Sequence, residues 1–126
     1  FAENTVFPNE KIIFGKPKNE KEAEMMLKSH SGSVHFVVSA ICLLDCKTGQ
    51  ISEKHSLSKV FFKKLSDKEI SAYLKTEEWR DAAGAYKIQG KASFFIKKIE
   101  GSYTGTVGLP VRELYEILNK TEFRLL

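Results

Sequence analysis

The sequence predicts an α/β fold in which helices flank a layered, mixed β-sheet built around a long hairpin. Two β-rich runs, residues 33–46 and 50–63, predict the hairpin, and a turn at residues 47–49 joins them. Two segments that match N-terminal capping boxes, residues 19–22 and 66–69, predict helices. The resulting order β-α-β-β-α-β-α is typical of a layered α/β or α+β domain.

Local signals place the elements before the hairpin. Residues 11–14 form a short apolar run that reads as the end of a strand, because a glycine and a proline follow it. Asn19 then caps a helix that we expect to end near Gly32. The apolar face of this helix consists of Ala23, Met26 and Leu27.

Equally local signals place the elements after the hairpin. Ser66 opens a second helix, and the Ala- and Gly-rich residues 81–90 predict a conformationally demanding loop. We expect a strand at residues 92–99 and a loop at residues 101–108. Pro110 then takes the first position of a final helix, where a missing N–H costs nothing.

Composition describes one soluble domain, residues 1–126. Of the 126 residues, 42% are hydrophobic and 29% are charged, and this hydrophobic fraction is enough for a buried core. A chain of this length is too short for two domains. No stretch approaches the roughly 20 apolar residues of a membrane helix, so we expect no membrane partner. The net charge of +4 suits phosphate-bearing partners. A solvated surface of mixed charge is the plainer interpretation, because the lysines are scattered among glutamates.

The cysteines and histidines point to a reduced protein without zinc. Cys42 and Cys46 fall in an apolar run that reads as a strand, which would separate them by roughly 13 Å at about 3.3 Å per residue. They are then too far apart for a disulfide, so we expect a cytoplasmic location. The three histidines show no metal-ligand spacing.

Three glycine-bearing segments are candidates for ligand binding: residues 15–17, 81–90 and 101–110. Lys16 can meet a phosphate as a compact positive charge, although a solvated lysine beside a turn is the plainer interpretation of these residues alone. Gln89 can donate to and accept from a base edge. Tyr86 either stacks on a ring or packs in the core.

Taken in this order, the three segments resemble the Maf family of nucleoside triphosphate pyrophosphatases, and so do residues 23–32 and 65–73. The Ala-Gly-Ala-Tyr-x-Ile-Gln-Gly pattern within residues 81–90 and the Gly-Ser-Tyr at residues 101–103 resemble the branch that acts on dTTP and UTP. The resemblance implies a Maf- and ITPase-like fold. It also implies hydrolysis of a nucleoside triphosphate by water attack on the α-phosphorus, assisted by Mg²⁺ or Mn²⁺.

The resemblance also implies roles for individual residues. Lys16 matches the phosphate-contacting lysine of the family, Gln89 its base-reading glutamine, and Thr5 its specificity-linked threonine. Asp81 is expected to orient its loop rather than to act as a base.

Two departures from the family pattern weaken the implied chemistry. The family begins with a Ser-x-Ser-x-Arg-Arg segment that has no match here, so we expect an N-terminally truncated, C-terminal two-thirds of the fold. The family's general base is an aspartate in an Ala-Asp-Thr motif, and Asn4, twelve residues before Lys16 (16 − 4), takes its place. An amide is not basic near neutral pH, and Glu3 is only a weak candidate for base or metal ligand, because neighbouring strand side chains point to opposite faces.

The leading hypothesis is therefore a dTTP/UTP pyrophosphatase by descent that is weak or inactive as this chain alone. It would be either the remnant of a split gene or a chain that needs a separately encoded N-terminal piece, and analogy with the family suggests a homodimer. The alternative is a non-catalytic nucleotide-binding or protein-interaction module of the same fold. We expect no nucleic-acid partner, because the three arginines are far apart: Arg80, Arg112 and Arg124.

Overall fold

A long antiparallel hairpin forms the centre of the sheet in the computed structural model, which describes residues 2–126. Strands β3 (Val34–Leu44) and β4 (Ile51–Phe62) pair along their whole length without a bulge. Asp45 closes the turn between them, because its amide donates to Gln50 O at 2.9 Å and its carboxylate accepts from Lys47 N at 2.8 Å. The long hairpin expected from the sequence is confirmed.

Three further strands extend the sheet on both sides of the hairpin. Strand β1 (Ala2–Asn9) pairs with β3, β2 (Ile12–Phe14) pairs with β1, and β5 (Ile96–Glu100) pairs with β4, so the order is β2-β1-β3-β4-β5. The α/β layering is confirmed, but every pairing within residues 2–126 is antiparallel rather than mixed. Two of the connections are short turns, which reverse the chain and so produce antiparallel neighbours.

Helices begin where the capping signals place them. The Asn19 side chain accepts from Glu22 N, and the Ser66 capping box is complete with Glu69. Helices α1 and α2 pack against each other, whereas α3 and α4 contact the hairpin. None of these helices is long and apolar enough to cross a bilayer, as far as residues 2–126 extend. The bounds are α1 Glu20–His30, α2 Asp67–Lys75, α3 Tyr103–Val107 and α4 Val111–Leu118.

Alternation along the hairpin sorts its side chains into two faces. On β3 the buried side chains are His35, Val37, Ser39 and Ile41, and on β4 they are Ser56, Ser58, Val60 and Phe62. The face is apolar towards one end of the hairpin, where it meets Leu27 of α1 and the rest of the core. Towards the other end it is lined with serines, which is unusual for a buried surface.

Four local expectations after the first helix are wrong. Strand β5 begins only at Ile96, because Lys91–Phe95 forms a 3-10 helix that leaves the ring of Phe94 78% exposed. The expected loop at residues 101–108 contains helix α3, whose N-terminus is capped where the Ser102 side chain accepts from Gly105 N at 2.9 Å. In both places a capped turn outweighs the strand or loop preference of the residues.

The other two differences concern Pro110 and Cys46. Pro110 is the N-cap of α4 rather than its first helical residue, and it is fully buried. Cys46 is exposed in the hairpin turn, because β3 ends at Leu44, so it lies outside the strand that was expected to contain it. No disulfide joins Cys46 to Cys42.

Two histidines stack in the core beneath the loop of residues 81–90. The rings of His30 and His35 lie 4.1 Å apart between centroids, and both residues are fully buried. His30 Nε2 donates to Gly84 O at 2.9 Å, since a carbonyl oxygen only accepts, and His35 Nε2 bonds the Tyr86 hydroxyl at 2.7 Å. Burial lowers the pKa of His30 to about 4, and burial together with the neighbouring His30 lowers the pKa of His35 to about 2.

The depressed histidine pKa values predict acid sensitivity. An unfolded histidine titrates near pH 6.5, so the unfolded state binds more protons below that pH. Stability is fully present above about pH 6.5 and falls as the pH drops towards 4, by about 1.4 kcal/mol per pH unit for each histidine. Urea unfolding between pH 7 and 4.5 measures this slope. His35→Phe should reduce the slope of the free energy of unfolding against pH. His55→Gln, on the exposed face of β4, should leave the slope unchanged. Equal slopes in wild type and both variants would contradict the assignment of the acid sensitivity to the buried histidines.

Candidate functional site

A cleft of about 640 Å³ opens between β1, the end of β2 and the loop that follows α2. Its volume lies in the range of small-molecule sites, roughly 300–1,000 Å³. The last residues of α3 and Gly108 close one end of it. All the residues singled out from the sequence line this one cleft, although they come from distant parts of the chain: Glu3, Asn4, Thr5, Lys16, Tyr86 and Gln89.

Gly84 docks the loop of residues 81–90 onto β1. Its φ of 72° lies in the left-handed region, and a Cβ at this position would sit 3.0 Å from the Val6 side chain. Its amide donates to Gly15 O at 3.1 Å, which joins the loop to the segment that carries Lys16. Only glycine meets both the backbone and the space requirement here.

Lys16 is held at the mouth of the cleft by Asp81. The Lys16 Nζ and Asp81 Oδ1 atoms lie 2.6 Å apart, and both side chains are largely exposed. The hydrogen bond and charge of Asp81 raise the pKa of Lys16, and Lys16 lowers the pKa of Asp81 by the same interactions. Both groups are therefore charged at neutral pH, and the ammonium group faces the solvent side of the cleft, where phosphate oxygens would compete for it.

Asn4 ties β1 to helix α3. Its Nδ2 donates to Thr106 O at 3.0 Å, and the amide orientation is fixed because a carbonyl oxygen cannot donate. In the sheet Asn4 lies opposite Ser39, which lies opposite Ser56, so these three side chains form a polar row on the buried face. The Asn4 Oδ1, Ser39 Oγ and Ser56 Oγ atoms are buried without a hydrogen-bond partner within residues 2–126.

Helix α3 approaches this polar row closely through Gly105. A Cβ at Gly105 would lie 2.5 Å from Ser56 Oγ. The short helix therefore covers the row, and the Asn4 amide is the side-chain link that joins it to β1. An aspartate at position 4 would turn that donor into a second acceptor facing the Thr106 carbonyl.

Glu3 and Thr5 flank Asn4 but belong to the opposite face of β1. Glu3 pairs with Ala40 and Thr5 with Val38 in the register with β3. Both still border the cleft, because β1 forms one of its walls. The exposed Glu3 carboxylate does not take the position of the Asn4 side chain, although its charge contributes to the raised pKa of Lys16.

Tyr86 packs in the core. It is 7% exposed, its hydroxyl bonds His35, and its ring meets Phe62 edge-on at 5.0 Å between centroids. Burial raises the pKa of its phenol. The ring is enclosed by these contacts, so the stacking role considered for it does not fit this structure.

Gln89 stands on a tight turn at the edge of the cleft. Gly90 N donates to Lys87 O at 3.0 Å, which closes the turn, and the buried side chain of Ile88 anchors it in the core. Gln89 itself is exposed and lines the cleft.

The sequence interpretation named the segments that form the cleft but did not single out three of its features: Lys87, the Lys16–Asp81 pair and the end of α3. Lys87 precedes the turn and adds a second positive charge, which also acts on Asp81. Its position inside the Ala-Gly-Ala-Tyr-x-Ile-Gln-Gly pattern was the available signal. Nothing in the local sequence marked Thr106 as the partner of Asn4, because they are 102 residues apart.

The described side chains offer only part of a coordination shell for a divalent metal. Glu3 and Asp81 are the carboxylates of the cleft wall, and Asp81 is paired with Lys16. Within residues 2–126 no group of three His, Cys, Asp or Glu side chains converges. Mg²⁺ commonly binds through one or two carboxylates plus substrate phosphates, so these residues alone do not make a complete metal site.

Comparison with known proteins gives the family. The family model described as Maf-like protein matches residues 2–121 of this chain. The chain belongs to the Maf family. The resemblance seen in the glycine-bearing segments is thereby confirmed, and those segments form the walls of the cleft.

Several curated relatives share the name dTTP/UTP pyrophosphatase. The protein from Treponema denticola is 93% identical over 126 residues, which is 100% of this chain and 62% of that protein. The protein from Alkaliphilus metalliredigens is 45% identical over 108 residues, covering 86% of this chain and 56% of that protein. The protein from Pyrococcus abyssi is 41% identical over 117 residues, covering 93% of this chain and 62% of that protein. The Maf chain therefore spans less than two thirds of the length of these relatives.

Asn4→Asp is expected to destabilise the protein at neutral pH. The substitution replaces the donor to Thr106 O by a carboxylate oxygen and leaves a half-buried carbonyl unpaired, which costs about 1–3 kcal/mol. Protonating the new carboxyl restores a donor, so the deficit relative to wild type should shrink as the pH falls below about 5.

Urea unfolding of wild type and variant at matched pH measures this deficit. Asn9→Asp, at the exposed last residue of β1, is the matched control and should stay within about 1 kcal/mol of wild type at neutral pH. An Asn4→Asp protein as stable as wild type at pH 7 would show that the Asn4–Thr106 bond does not hold α3 to β1.

Proposed function

We propose that this chain carries the nucleotide-recognition part of a nucleoside triphosphate pyrophosphatase that converts dTTP or UTP to the monophosphate and pyrophosphate. The observation that carries the proposal is the single cleft, which brings the lysine and glutamine of the Maf pattern together from residues 16 and 89. The names of the curated relatives support this reaction and these substrates.

The charges of the cleft suit a triphosphate with a pyrimidine base. Lys16 and Lys87 supply positive charge on the side of the cleft where phosphates would lie. On binding, phosphate oxygens replace the Asp81 carboxylate as partners of Lys16, which the exposure of that ion pair allows. Gln89 offers a donor and an acceptor together, as an edge with one carbonyl and one N–H requires.

A divalent cation, Mg²⁺ or Mn²⁺, completes the proposal. It would arrive with the triphosphate, with Glu3 as the carboxylate nearest to Asn4 in the cleft wall. Its chemistry there is to reduce the negative charge that an attacking water must approach.

Turnover by this chain alone is expected to be weak or absent. Asn4 occupies the position of the family's aspartate base, and its amide is engaged with Thr106 O rather than directed at a water. General-base catalysis typically contributes about 10²–10⁴-fold, so its loss is severe. Full activity would then need groups that these 126 residues do not supply, and a separately encoded N-terminal piece or a second copy in a homodimer is proposed as their source. The cytoplasmic location and the absence of a nucleic-acid partner stay predictions.

A non-catalytic nucleotide-binding module is the second candidate. The Asn4–Thr106 hydrogen bond favours it, because it gives Asn4 a structural use that does not require catalysis. The two candidates predict the same binding but differ in turnover once the missing groups are supplied.

Incubation with dTTP or UTP and Mn²⁺ tests the impairment directly. We expect pyrophosphate release at least 10²-fold slower than from a full-length Maf pyrophosphatase under the same conditions, because a general base is missing. Comparable rates from this chain alone would refute the impairment. A further test combines Asn4→Asp with an N-terminal piece that carries the Ser-x-Ser-x-Arg-Arg segment. The rate of pyrophosphate release should rise if the chain is part of a pyrophosphatase, and stay unchanged if it is only a nucleotide-binding module.

Gln89→Ala tests the assignment of the base-reading side chain. Loss of two hydrogen bonds to the base should weaken dTTP binding by roughly 1–3 kcal/mol, about 5- to 150-fold, as measured by calorimetric titration. Gln50→Ala, which truncates an exposed glutamine at the far end of the hairpin, is the matched control and should bind as wild type does. Equal dTTP affinities of Gln89→Ala and Gln50→Ala would show that Gln89 does not contact the base.

A further inference from the structure

Two side chains that do not line the cleft accept hydrogen bonds from the backbone of the turn that carries Gln89. One lies in α2 and the other lies just after it. Lys87 N donates to the Tyr73 hydroxyl at 3.2 Å, and Lys91 N donates to Glu78 Oε2 at 2.9 Å. The two bonded amides lie two residues before and two residues after Gln89. The backbone on both sides of the glutamine is therefore fixed by side-chain acceptors.

Tyr73 and Glu78 also act on each other electrostatically, because the Glu78 charge affects the Tyr73 phenol. Burial raises the pKa of Tyr73 to about 12, and the charge and hydrogen bond of Glu78 add to the rise. The phenol is thus protonated at neutral pH and can donate to the Glu78 carboxylate while its oxygen accepts from Lys87 N. The two acceptors thus lie on both sides of the turn, Tyr73 at Lys87 N and Glu78 at Lys91 N.

Gly90 brings the turn into direct contact with Glu78. A Cβ on Gly90 would lie 2.4 Å from Glu78 Oε2, so the carboxylate occupies the space that any other residue would need. The same carboxylate accepts the first amide of the 3-10 helix that follows, whose N-terminus has no other side-chain cap among the described residues. Glu78 is half-buried, and such a charge-assisted bond is stronger than a neutral one.

We propose that Glu78 is a positioning residue for base recognition, which holds the Gln89 amide in the orientation that reads the nucleobase. The assignment rests on the proposed function, because it takes Gln89 as the base-reading side chain. Glu78 acts through the turn and does not touch the nucleotide. Its removal therefore impairs discrimination by the base while it spares the binding of the phosphates.

Calorimetric titration of dTTP and of inorganic tripolyphosphate separates these two effects. Glu78→Ala should raise the Kd for dTTP about 10-fold, the equivalent of one or two lost hydrogen bonds, and change the Kd for tripolyphosphate less than about 2-fold. Glu78→Gln keeps an oxygen that accepts from Lys91 N, so it should recover most of the dTTP affinity. Glu77→Ala removes a neighbouring exposed carboxylate that pairs with Arg80, and it should bind both ligands as wild type does.

A double variant distinguishes positioning from a general loss of structure. If Glu78 acts through Gln89, Glu78→Ala should add little to the defect of Gln89→Ala, so the two effects on dTTP should not be additive. Additive effects, equal losses for both ligands, or wild-type dTTP binding by Glu78→Ala would each overturn the proposal. If Glu78→Ala does not fold, Glu78→Asp is tested instead. Aspartate keeps the negative charge, but its side chain is too short to reach Lys91 N. Wild-type dTTP binding by Glu78→Asp would also overturn the proposal.

Amide hydrogen exchange keeps this inference separate from the proposed function. If wild type binds neither dTTP nor UTP, the proposed function fails. The positioning role is then read without a nucleotide, from the exchange of Gly90 N–H, which closes the turn. Glu78→Ala should speed that exchange about 10-fold while Glu77→Ala leaves it unchanged, and an unchanged rate in Glu78→Ala would overturn the role assigned to Glu78.

Discussion

Gly84 crosses β1 directly over the Val6 side chain, where a Cβ would lie only 3.0 Å from a Val6 methyl group. This one close approach brings the loop of residues 81–90 to the segment that carries Lys16, through the bond from Gly84 N to Gly15 O. On its other side the same glycine accepts a bond from the buried His30. The cleft, the position of Lys16 and the placement of Gln89 all depend on this contact. A change in the core beneath the Gly84–Val6 contact would therefore alter the cleft, although neither His30 nor His35 lines the cleft.

Much of the fold could be predicted because its signals are local. The capping residues Asn19 and Ser66 begin the helices, and the turn at Asp45 sets the hairpin, each within a few residues of chain. The errors arose where tertiary contacts decide. The 3-10 helix at Lys91–Phe95 depends on Glu78, 13 residues away in sequence, so the aromatic run was read as strand. The cleft residues were found by family pattern, whereas the Asn4–Thr106 bond and the Asp81 partner of Lys16 were visible only in three dimensions.

Asn4 changes meaning between sequence and structure. In the family pattern an aspartate stands at this position, so the uncharged asparagine alone suggests a simple loss of function. In the structure its amide is the side-chain link between β1 and α3, and it lies in a buried polar row with Ser39 and Ser56. Restoring the carboxylate would thus supply a base and at the same time remove a hydrogen bond that closes the cleft. Under the proposed function, recognition and catalysis would place opposite demands on this position, and the asparagine would favour recognition.

Backbone amide chemical shifts recorded during a titration with dTTP test this distribution of roles most directly. If the cleft recognises the nucleotide, the perturbed amides should cluster at Lys16, at Lys87 to Gly90 and at Thr106 to Gly108, and the nucleotide should remain intact during the titration. Shifts confined to the other face of the sheet, around Leu57, or no shifts at millimolar dTTP, would contradict the assignment of this cleft. Rapid conversion of dTTP during the titration would contradict the view that the chain recognises its ligand without turning it over.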